Sequence, residues 1–454
     1  MDMTRKFKTA DYEKTLDLQI SLREVLPPNH LARFIVDLVA QLDLSEIYNQ
    51  YSDQGAPPYA PELLLGLLFY GYASGIFSSR KLEKATYEVI PFRFIAGDMH
   101  PDHDTIATFR KQFLAELKEL FIQILLIAQE MGRLQLGNVS LDGSKIHADA
   151  SKSKAVSYKR LLAIEAYLQA EVNELFALAE AADGGQLPDK MNIQDEIERR
   201  EQQMERLAEA KKVLEARAQA RYEAEKAEYD AKMQVREEKA AKKGRKPPGR
   251  PPNPPTPGPR NKDQYNFTDP ESRIMKNANN SGFDQHYNVQ VVVDHDSRLV
   301  VGNWLCNHTN DKQAALPTID TVPPEVGQPK KANLDTGYFS ENNIAGLEAR
   351  RIDPYIATGR SPHHQGWRAF FLDNPDPPPE DASVKEQMAY KLRTEIGNAL
   401  YRLRKSTVEP VIGIIKEVLG FRQFSLRSMF AAGGEWTLVC LAYNLKRLHT
   451  LQIS

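Results

Sequence analysis

The chain has 454 residues, of which 41% are hydrophobic and 26% charged, and its formal net charge is -2. This length allows two or three domains, and this composition is that of an ordinary globular protein. Because the net charge is close to zero, any affinity for a polyanion has to come from local basic segments. The charge of the chain must therefore be considered segment by segment.

The cysteines and the hydropathy pattern exclude several classes of protein. Cys306 and Cys440 are far apart and lack the spacing of a CxxC motif or a Cys/His zinc site, so a disulfide framework is not expected and a reducing cytosol fits. The N-terminal residues contain no apolar segment of a signal peptide, and no run of about 18 apolar residues occurs in the chain. We therefore expect neither export nor a membrane span.

Residues 30–131 have a helical pattern. Apolar residues recur at i, i+3 and i+4 in "LARFIVDLVAQL" and "PELLLGLLFYGYASGI", where Pro61 is placed to open the second helix. Asp104 is a candidate N-cap for a long amphipathic helix that ends near Gly132. An all-α domain over residues 1–132 is predicted. Spacing alone favours a plain helical bundle over a DNA-binding domain and leaves both interpretations open.

The next segments predict a strand and an inserted helical hairpin. In "NVSLDGS" apolar and polar residues alternate, which predicts a short strand that ends in a turn at Gly143. Residues 158–241 are rich in Ala, Glu, Lys, Arg and Gln and are interrupted at 183–192, as expected for two antiparallel helices. Apolar residues at heptad-like spacing are few, so the seam between the helices is predicted to be thin and the hairpin to protrude or to dimerise.

Residues 242–262 form a basic, proline-rich segment with seven Lys and Arg residues and no acid. Proline at this density excludes helix and sheet, so the segment is predicted to be an extended, largely disordered linker. We expect Arg245, Lys246 and Arg250 to contact DNA. Arg250 lies in a Pro-Gly-Arg-Pro core like those of minor-groove arms, but generic affinity for phosphates is the favoured interpretation.

Strand patterns resume after this linker. The two Val-rich runs of "HYNVQVVVDHDSRLVVGNWLC" predict a β-hairpin, "KKANLDTGYFS" a third strand, "ENNIAGLEARR" a helix and "DPYIATGR" a fourth strand. A helical tail follows from about residue 385 to 451, interrupted at Gly420 and at 431–434. Segments 136–157 and 263–454 together predict an α/β domain, a mixed sheet flanked by helices, with the hairpin inserted after its first strand.

Three acids stand out within this domain. Asp142 in "VSLDGS" and Asp335 in "ANLDTGYF" each follow an apolar strand, and acids at such strand ends face the crevice where open α/β sheets bind ligands. The alternative is that each only initiates a turn. Glu409 is an acid among Arg and Lys in "YRLRKSTVEPVIGIIKEVLGFRQF". Carboxylates that converge repel one another unless a hard cation such as Mg²⁺ lies between them, and two such ions promote in-line phosphoryl displacement.

These stretches resemble the signatures of a known family. "LDGSKIHADAS", "DPESRIMKNANNSGFDQHYNVQVVVD", "NLDTGYFSENNI" and "STVEPVIGIIKEVLGFRQFSLR" are similar to motifs of the DDE-class transposases of bacterial insertion sequences, and "HPDHDTIATFRKQF" resembles their helical N-terminal domain. The resemblance implies an RNase H-like catalytic domain and a triad of Asp142, Asp335 and Glu409 that is both catalytic and metal-binding. It also implies Mg²⁺, for which Mn²⁺ can substitute.

The expected activity is DNA strand cleavage and strand transfer at the ends of an insertion sequence. The expected partners are the terminal inverted repeats, a target duplex and further copies of the chain on DNA, in the cytoplasm at the bacterial nucleoid. A DNA-binding protein of transposase descent that no longer cuts is the alternative, which the intact triad disfavours. A glycosidase with two carboxylates is unsupported, because Glu409 has basic neighbours.

The resemblance also implies DNA contacts around the third acid. The tyrosine, arginine, glutamate and lysine of the family signature correspond to Tyr401, Arg404, Glu409 and Lys416. Four residues separate Arg404 from Glu409, one more than in the family pattern, whereas Lys405 has the family spacing. Either Arg404 or Lys405 is therefore predicted to contact the phosphate.

Overall fold

A computed structural model describes residues 21–51, 57–182, 192–243, 249–277, 281–359, 376–379 and 381–453. The helices are α1 (Leu22–Val25), α2 (Leu31–Val39), α3 (Ser45–Tyr48), α4 (Pro61–Ala73), α5 (Ser79–Glu88), α6 (Ile90–Ile95), α7 (His103–Gln112), α8 (Glu116–Glu130), α9 (Tyr158–Ala182), α10 (Ile193–Lys243), α11 (Ala315–Ile319), α12 (Glu341–Ala349), α13 (Val384–Arg393), α14 (Glu395–Arg402), α15 (Arg404–Gly413) and α16 (Met429–Ile453). The strands are β1 (Asn138–His147), β2 (Ala155–Ser157), β3 (Gln264–Asn266), β4 (Arg273–Lys276), β5 (Phe283–Asp294), β6 (Val300–Cys306), β7 (Lys331–Leu334) and β8 (Asp353–Ile356).

The N-terminal region is helical, as the sequence predicts, and Pro61 opens α4. The long helix expected from Asp104 to Gly132 is instead two helices, α7 and α8. Asp102 caps α7, since its carboxylate accepts a hydrogen bond of 2.8 Å from the Thr105 amide. Leu114, which lies between the two helices, is buried against α16.

The central sheet is mixed. β1 pairs in parallel with β7 and β7 with β8, whereas β5 lies antiparallel on the other edge of β1. β6 and the short β4 both pair with the far edge of β5. Apart from β4, the order is therefore β6-β5-β1-β7-β8. The predicted α/β fold, hairpin, third and fourth strands and intervening helix are confirmed, whereas β4 was not predicted.

The first strand is longer than predicted. β1 does not end at Gly143, because residues from Gly143 to His147 continue to pair with β5. Its parallel pairing with β7 does end near there, and the last pair is Leu141 with Leu334. Asp142 thus lies where β1 leaves one neighbour and remains bonded to the other.

Helices cover both faces of the sheet. α15 packs on β1 and β5 and α16 packs along β6 on the face of Asp142, while α11 and α12 cover the opposite face. The "AAGG" at 431–434 does not interrupt the helical tail but lies within α16. A Cβ at Gly434 would lie 2.8 Å from the Leu114 side chain, so the glycine permits this close approach.

The N-terminal helices and the sheet share one hydrophobic core. α16 packs against both α4 and α8, and the buried residues form a continuous cluster. Within it the carboxylate of Glu435, which is fully buried, accepts hydrogen bonds from the Tyr72 hydroxyl at 3.0 Å and from the amides of Ser425 and Leu426. Cys306 and Cys440 are both free and buried. In the described ranges, no helix has the length and apolarity needed to cross a bilayer.

The predicted insertion is an antiparallel helical hairpin with a small separate core. Leu161 and Leu168 of α9 pack against Leu207 and Leu214 of α10. Its two ends enter and leave through a two-stranded ribbon, in which Ser157 of β2 pairs with Gln264 of β3. The hairpin is therefore connected to the rest of the domain mainly at this ribbon.

The described part of the proline-rich segment differs from the predicted disordered linker. Residues 249–262 run back along α10, where the carbonyls of Gly249 and Gly258 accept hydrogen bonds from Arg236 and Arg221, respectively. Arg260 forms an ion pair of 2.9 Å with Glu225. The segment is extended, as its prolines require, but side chains of the helix hold it in place.

Candidate active site

Asp142 and Asp335 are brought together by strand register. Leu141 of β1 and Leu334 of β7 are paired in parallel. Asp142 directly follows Leu141 in the sequence, and Asp335 directly follows Leu334. Asp335 then caps a short 3₁₀ turn over Thr336–Tyr338, and its carboxylate accepts a hydrogen bond from the Thr336 amide. The register thus places Asp142 and Asp335 on neighbouring strands, at the point where the parallel pairing ends.

Helix α15 lies across β1 on the same face. The Thr407 hydroxyl donates a hydrogen bond of 3.1 Å to the Ser140 hydroxyl, and one turn earlier in the helix Arg404 contacts Asp142. In the π-helical turn that follows, over Ile414–Val418, the Lys416 ammonium lies 3.0 Å from the Ser144 hydroxyl. Alternate residues of β1 thus each contact the segment that carries Glu409.

Arg404 bridges two of the predicted catalytic acids. Its guanidinium donates one hydrogen bond of 3.0 Å to Asp142 and another of 2.8 Å to Glu409. The Arg404 side chain is only 12% exposed, whereas Asp142 is 21% and Glu409 44% exposed. Lys405, the alternative with the family spacing, is exposed to solvent. The extra residue before Glu409 therefore leaves Arg404, and not Lys405, facing the acids.

The electrostatics of this cluster are set by burial. Burial raises the pKa of Asp142 to about 6, the positive charge of Arg404 opposes this shift, and the negative charges of Asp335 and Glu409 add to it. Burial also raises the pKa of Tyr401, whose hydroxyl is close enough to Arg404 for its charge to lower that pKa in part. The pKa of Asp142 thus lies above its ordinary value of 3.8 even with Arg404 beside it.

The remaining predicted DNA contacts are dispersed. Lys416 is half-buried beside β1, and burial lowers its pKa. Arg250 is exposed on the segment that runs along α10, remote in sequence from the acids. Arg245 and Lys246 lie outside the described residues. The structure thus places Tyr401, Arg404 and Lys416 beside the acids, whereas Arg250 lies on the segment that runs along α10.

The donor set suits a hard divalent cation, because it offers carboxylate oxygens from three separate elements. Among the described residues, however, no three His, Cys, Asp or Glu side chains are close enough to hold a metal ion. Between Asp142 and Glu409 the countercharge is instead the Arg404 guanidinium. Binding of a cation by all three acids would therefore require Arg404 to give up part of its contacts.

Three residues at this site were not predicted from the sequence: Ser144, Gln290 and Tyr338. Ser144 contacts Lys416, as described above. The fully buried Gln290 side chain lies directly over Gly143, and the Tyr338 hydroxyl donates a hydrogen bond to it. Burial, together with the charges of nearby acids, raises the pKa of Tyr338 well above its usual value. A polar residue within the Val-rich run "NVQVVV" was the available signal, but alternation there is equally typical of a solvent-facing side chain.

The acids, the mixed sheet and the flanking basic residues together define a candidate nucleic-acid-processing site. Residues 20–112 match the family model described as a transposase domain (DUF772), and residues 255–445 match the transposase DDE domain. The chain belongs to the DDE-class transposases. The same comparisons found no match among curated proteins or solved structures. Asp335 and Glu409 lie within the second match, whereas Asp142 lies outside both.

Proposed function

We propose that the protein cleaves DNA strands at the ends of an insertion sequence and joins them to a target, with Asp142, Asp335 and Glu409 as its catalytic triad. The single observation that carries this proposal is the convergence of the acids: two follow paired positions on adjacent parallel strands, and the third shares Arg404 with the first. Carboxylates on the face of one sheet are poorly explained by folding alone, because they repel one another.

We propose an RNase H-like fold for the catalytic domain. The order β6-β5-β1-β7-β8 supports it: numbered along the chain, these strands run 3-2-1-4-5, and the second is antiparallel to the first. The central strand of that order carries Asp142, and its parallel neighbour leads into Asp335. The proposal thus assigns the first two acids to the middle of the sheet, where helices on both faces hold the strands in place.

Mg²⁺, or Mn²⁺ in its place, would be held by the three acids, where it would activate an attacking oxygen and stabilise a leaving one. The protein's own residues then divide the remaining work. Arg404 balances the charge of Asp142 and Glu409 before the cation arrives, and afterwards can turn toward a DNA phosphate, for which its forked guanidinium is suited. Tyr401 and Lys416 flank the same face and are proposed to bind the adjacent backbone.

DNA is the proposed partner, in the form of terminal inverted repeats and a target duplex. The helical domain over 1–132 and the exposed Arg250 are proposed to add affinity outside the triad. Transposition joins two element ends, so we expect copies of the chain to assemble on DNA, and its location in the bacterial cytoplasm at the nucleoid follows from this substrate. The alternative function is that of a DNA-binding protein of transposase descent that no longer cleaves DNA.

The triad is tested with DNA that carries the ends of the element, found as inverted repeats in the sequence flanking the gene. We expect Asp142→Asn, Asp335→Asn and Glu409→Gln each to abolish Mg²⁺-dependent cutting, because one lost ligand charge mispositions the cation, while binding of end DNA survives. Asp353→Asn is the matched control, since Asp353 is an acid at the opposite end of a sheet strand. Near-normal cutting by a triad variant would remove that residue from the assignment.

A further inference from the structure

A buried polar layer lies on the face of the sheet opposite the acids. It consists of the side chains of Asn288, Gln290, Asp311 and Tyr338, which are hydrogen-bonded to one another. Asn288, Gln290 and Tyr338 are at most 3% exposed. Buried amides, carboxylates and phenols cost free energy unless they are hydrogen-bonded, so a connected layer of this kind requires an explanation.

Gln290 contacts the backbone next to Asp142. Gly143 is its cross-strand partner on β1, and a Cβ at Gly143 would lie 2.2 Å from the Gln290 side-chain nitrogen. The amide group therefore rests directly on the bare glycine backbone, one residue after the aspartate. Successive residues of a strand face opposite sides of the sheet. Gln290 therefore contacts β1 on the face opposite to the one from which Asp142 projects.

The same amide contacts the turn that follows Asp335. Tyr338 closes the 3₁₀ turn over Thr336–Tyr338, and its hydroxyl donates a hydrogen bond to the Gln290 side-chain oxygen. The turn is held from its other side as well, since the Asn343 side chain donates a hydrogen bond of 2.6 Å to the Tyr338 carbonyl. One side chain thus contacts the segments that follow both aspartates.

Asp311 fixes the orientation of the Gln290 amide. Its carboxylate accepts hydrogen bonds of 3.0 Å from the Gln290 side-chain nitrogen and 2.8 Å from Asn288. The amide nitrogen is therefore directed toward Asp311 and the amide oxygen toward Tyr338. A rotation of this amide would place its oxygen against the Asp311 carboxylate and the Asn288 side-chain oxygen, which are both acceptors, so one orientation is favoured.

We infer that Gln290 is a positioning residue, which sets the position of Asp142 relative to Asp335 through Gly143 on one side and Tyr338 on the other. This inference rests on the proposed function. Gln290 touches neither DNA nor cation in this role. The two acids come from different strands whose pairing ends at Leu141 and Leu334, so beyond that point the ladder no longer fixes their separation. The polar layer supplies the missing connection.

The first test is Gln290→Leu, which keeps the volume and removes both hydrogen-bonding groups. A displacement of reacting groups by about 1 Å can cost about a hundredfold in rate. We therefore expect kcat for end cleavage to fall about a hundredfold, with the Kd for end DNA unchanged within about twofold. Asn444→Leu is the matched control, because Asn444 is an equally buried amide that bonds the backbone of Val300 on β6. It should lower Tm to a similar extent without the loss of kcat.

The second test exchanges donor and acceptor within the layer. Gln290→Glu alone places two carboxylates in contact and should reduce kcat as strongly as Gln290→Leu. When Gln290→Glu is combined with Asp311→Asn, the pair again carries a single negative charge and one hydrogen bond between the two side chains. The glutamate still accepts a hydrogen bond from Tyr338. We expect this double variant to recover at least a tenth of the wild-type kcat, which a general loss of stability would not produce.

Wild-type protein and Asp142→Asn are assayed alongside. If wild-type protein does not cut end DNA, the proposed function fails, whatever Gln290 does. If wild-type protein cuts and Gln290→Leu retains its kcat, the inference is wrong. It is equally wrong if Gln290→Leu and Asn444→Leu lose kcat in the same proportion to their loss of Tm, or if the double variant is no faster than Gln290→Glu.

Discussion

Removal of Arg404 should destabilise the protein strongly without metal and weakly with it. Arg404→Ala leaves the Asp142 carboxylate, 21% exposed, without its partner at 3.0 Å. Breaking a buried ion pair costs about 3–5 kcal/mol. Loss of the second ion pair, between Arg404 and the half-exposed Glu409, adds at most about 1 kcal/mol. Because Asp142 is only partly buried, we expect the lower value, a loss of about 3 kcal/mol in the free energy of unfolding at pH 7.5 in EDTA.

The pKa of Asp142 determines how this loss varies with pH. That pKa is about 6 in the folded protein, above its ordinary value of 3.8. Below about pH 5 the carboxyl is mostly protonated and has little need of a countercharge, so the loss caused by Arg404→Ala should shrink there. Saturating Mg²⁺ should also reduce it, because the cation replaces the guanidinium as the countercharge.

The assay is urea unfolding of wild-type protein, Arg404→Ala and Lys405→Ala, with EDTA or with Mg²⁺, at pH 5 and 7.5. Lys405 is the matched control because it is the neighbouring base and exposed, so its removal should change stability by less than about 0.5 kcal/mol. Equal losses in the two variants would refute the role of Arg404 as internal countercharge. So would a loss from Arg404→Ala that is the same with and without Mg²⁺.

Three further predictions concern the insertion, the basic segment and Asp142. Replacement of residues 158–263 by a two-residue Asn-Gly turn should leave a folded protein, because Ser157 and Gln264 are already cross-strand partners, and a collapse of Tm would show that the insertion belongs to the main core. The second prediction concerns five basic residues, Lys242, Lys243, Arg245, Lys246 and Arg250. Their substitution by Ala should flatten the slope of log K for duplex DNA against log[salt] by about 3. An unchanged slope would show that the segment is only a linker. The third prediction compares wild-type protein with Asp142→Asn in EDTA. Because the pKa of Asp142 is raised in the folded protein, the wild-type free energy of unfolding should fall relative to that of the variant by roughly 3 kcal/mol between about pH 4 and above pH 6. Parallel pH profiles of the two proteins would contradict this.

The sequence was sufficient for the candidate acids and for most strands. Asp142 and Asp335 could be located because each follows an apolar run and precedes a small residue, and strand register then places them side by side. The end of β1 could not be located. Gly143 looks like the start of a turn in the sequence, but in the structure it is the residue that makes room for Gln290.

Spacing along the chain could not decide which base faces the acids. Lys405 has the spacing of the family, yet Arg404 points inward, because α15 begins there and its orientation is fixed by the packing of Thr407 on Ser140. The polar layer was invisible for a related reason. Whether Gln290 faces solvent or core depends on α11 and α12, which cover that face and which no local pattern connects to β5.

The burial of Glu435 against Tyr72 has a consequence for how the chain is made. The two residues are 363 positions apart, and α16 is the last helix of the described chain. Translation adds about 5–20 residues per second, so roughly 20–70 s pass between the synthesis of α4 and that of α16. Until then α16 cannot cover the apolar surface of α4. During that interval the nascent chain presents an unfinished core to the cytosol. We expect its synthesis to depend on chaperones that bind early, and a message truncated before α16 to yield aggregate rather than a smaller folded protein.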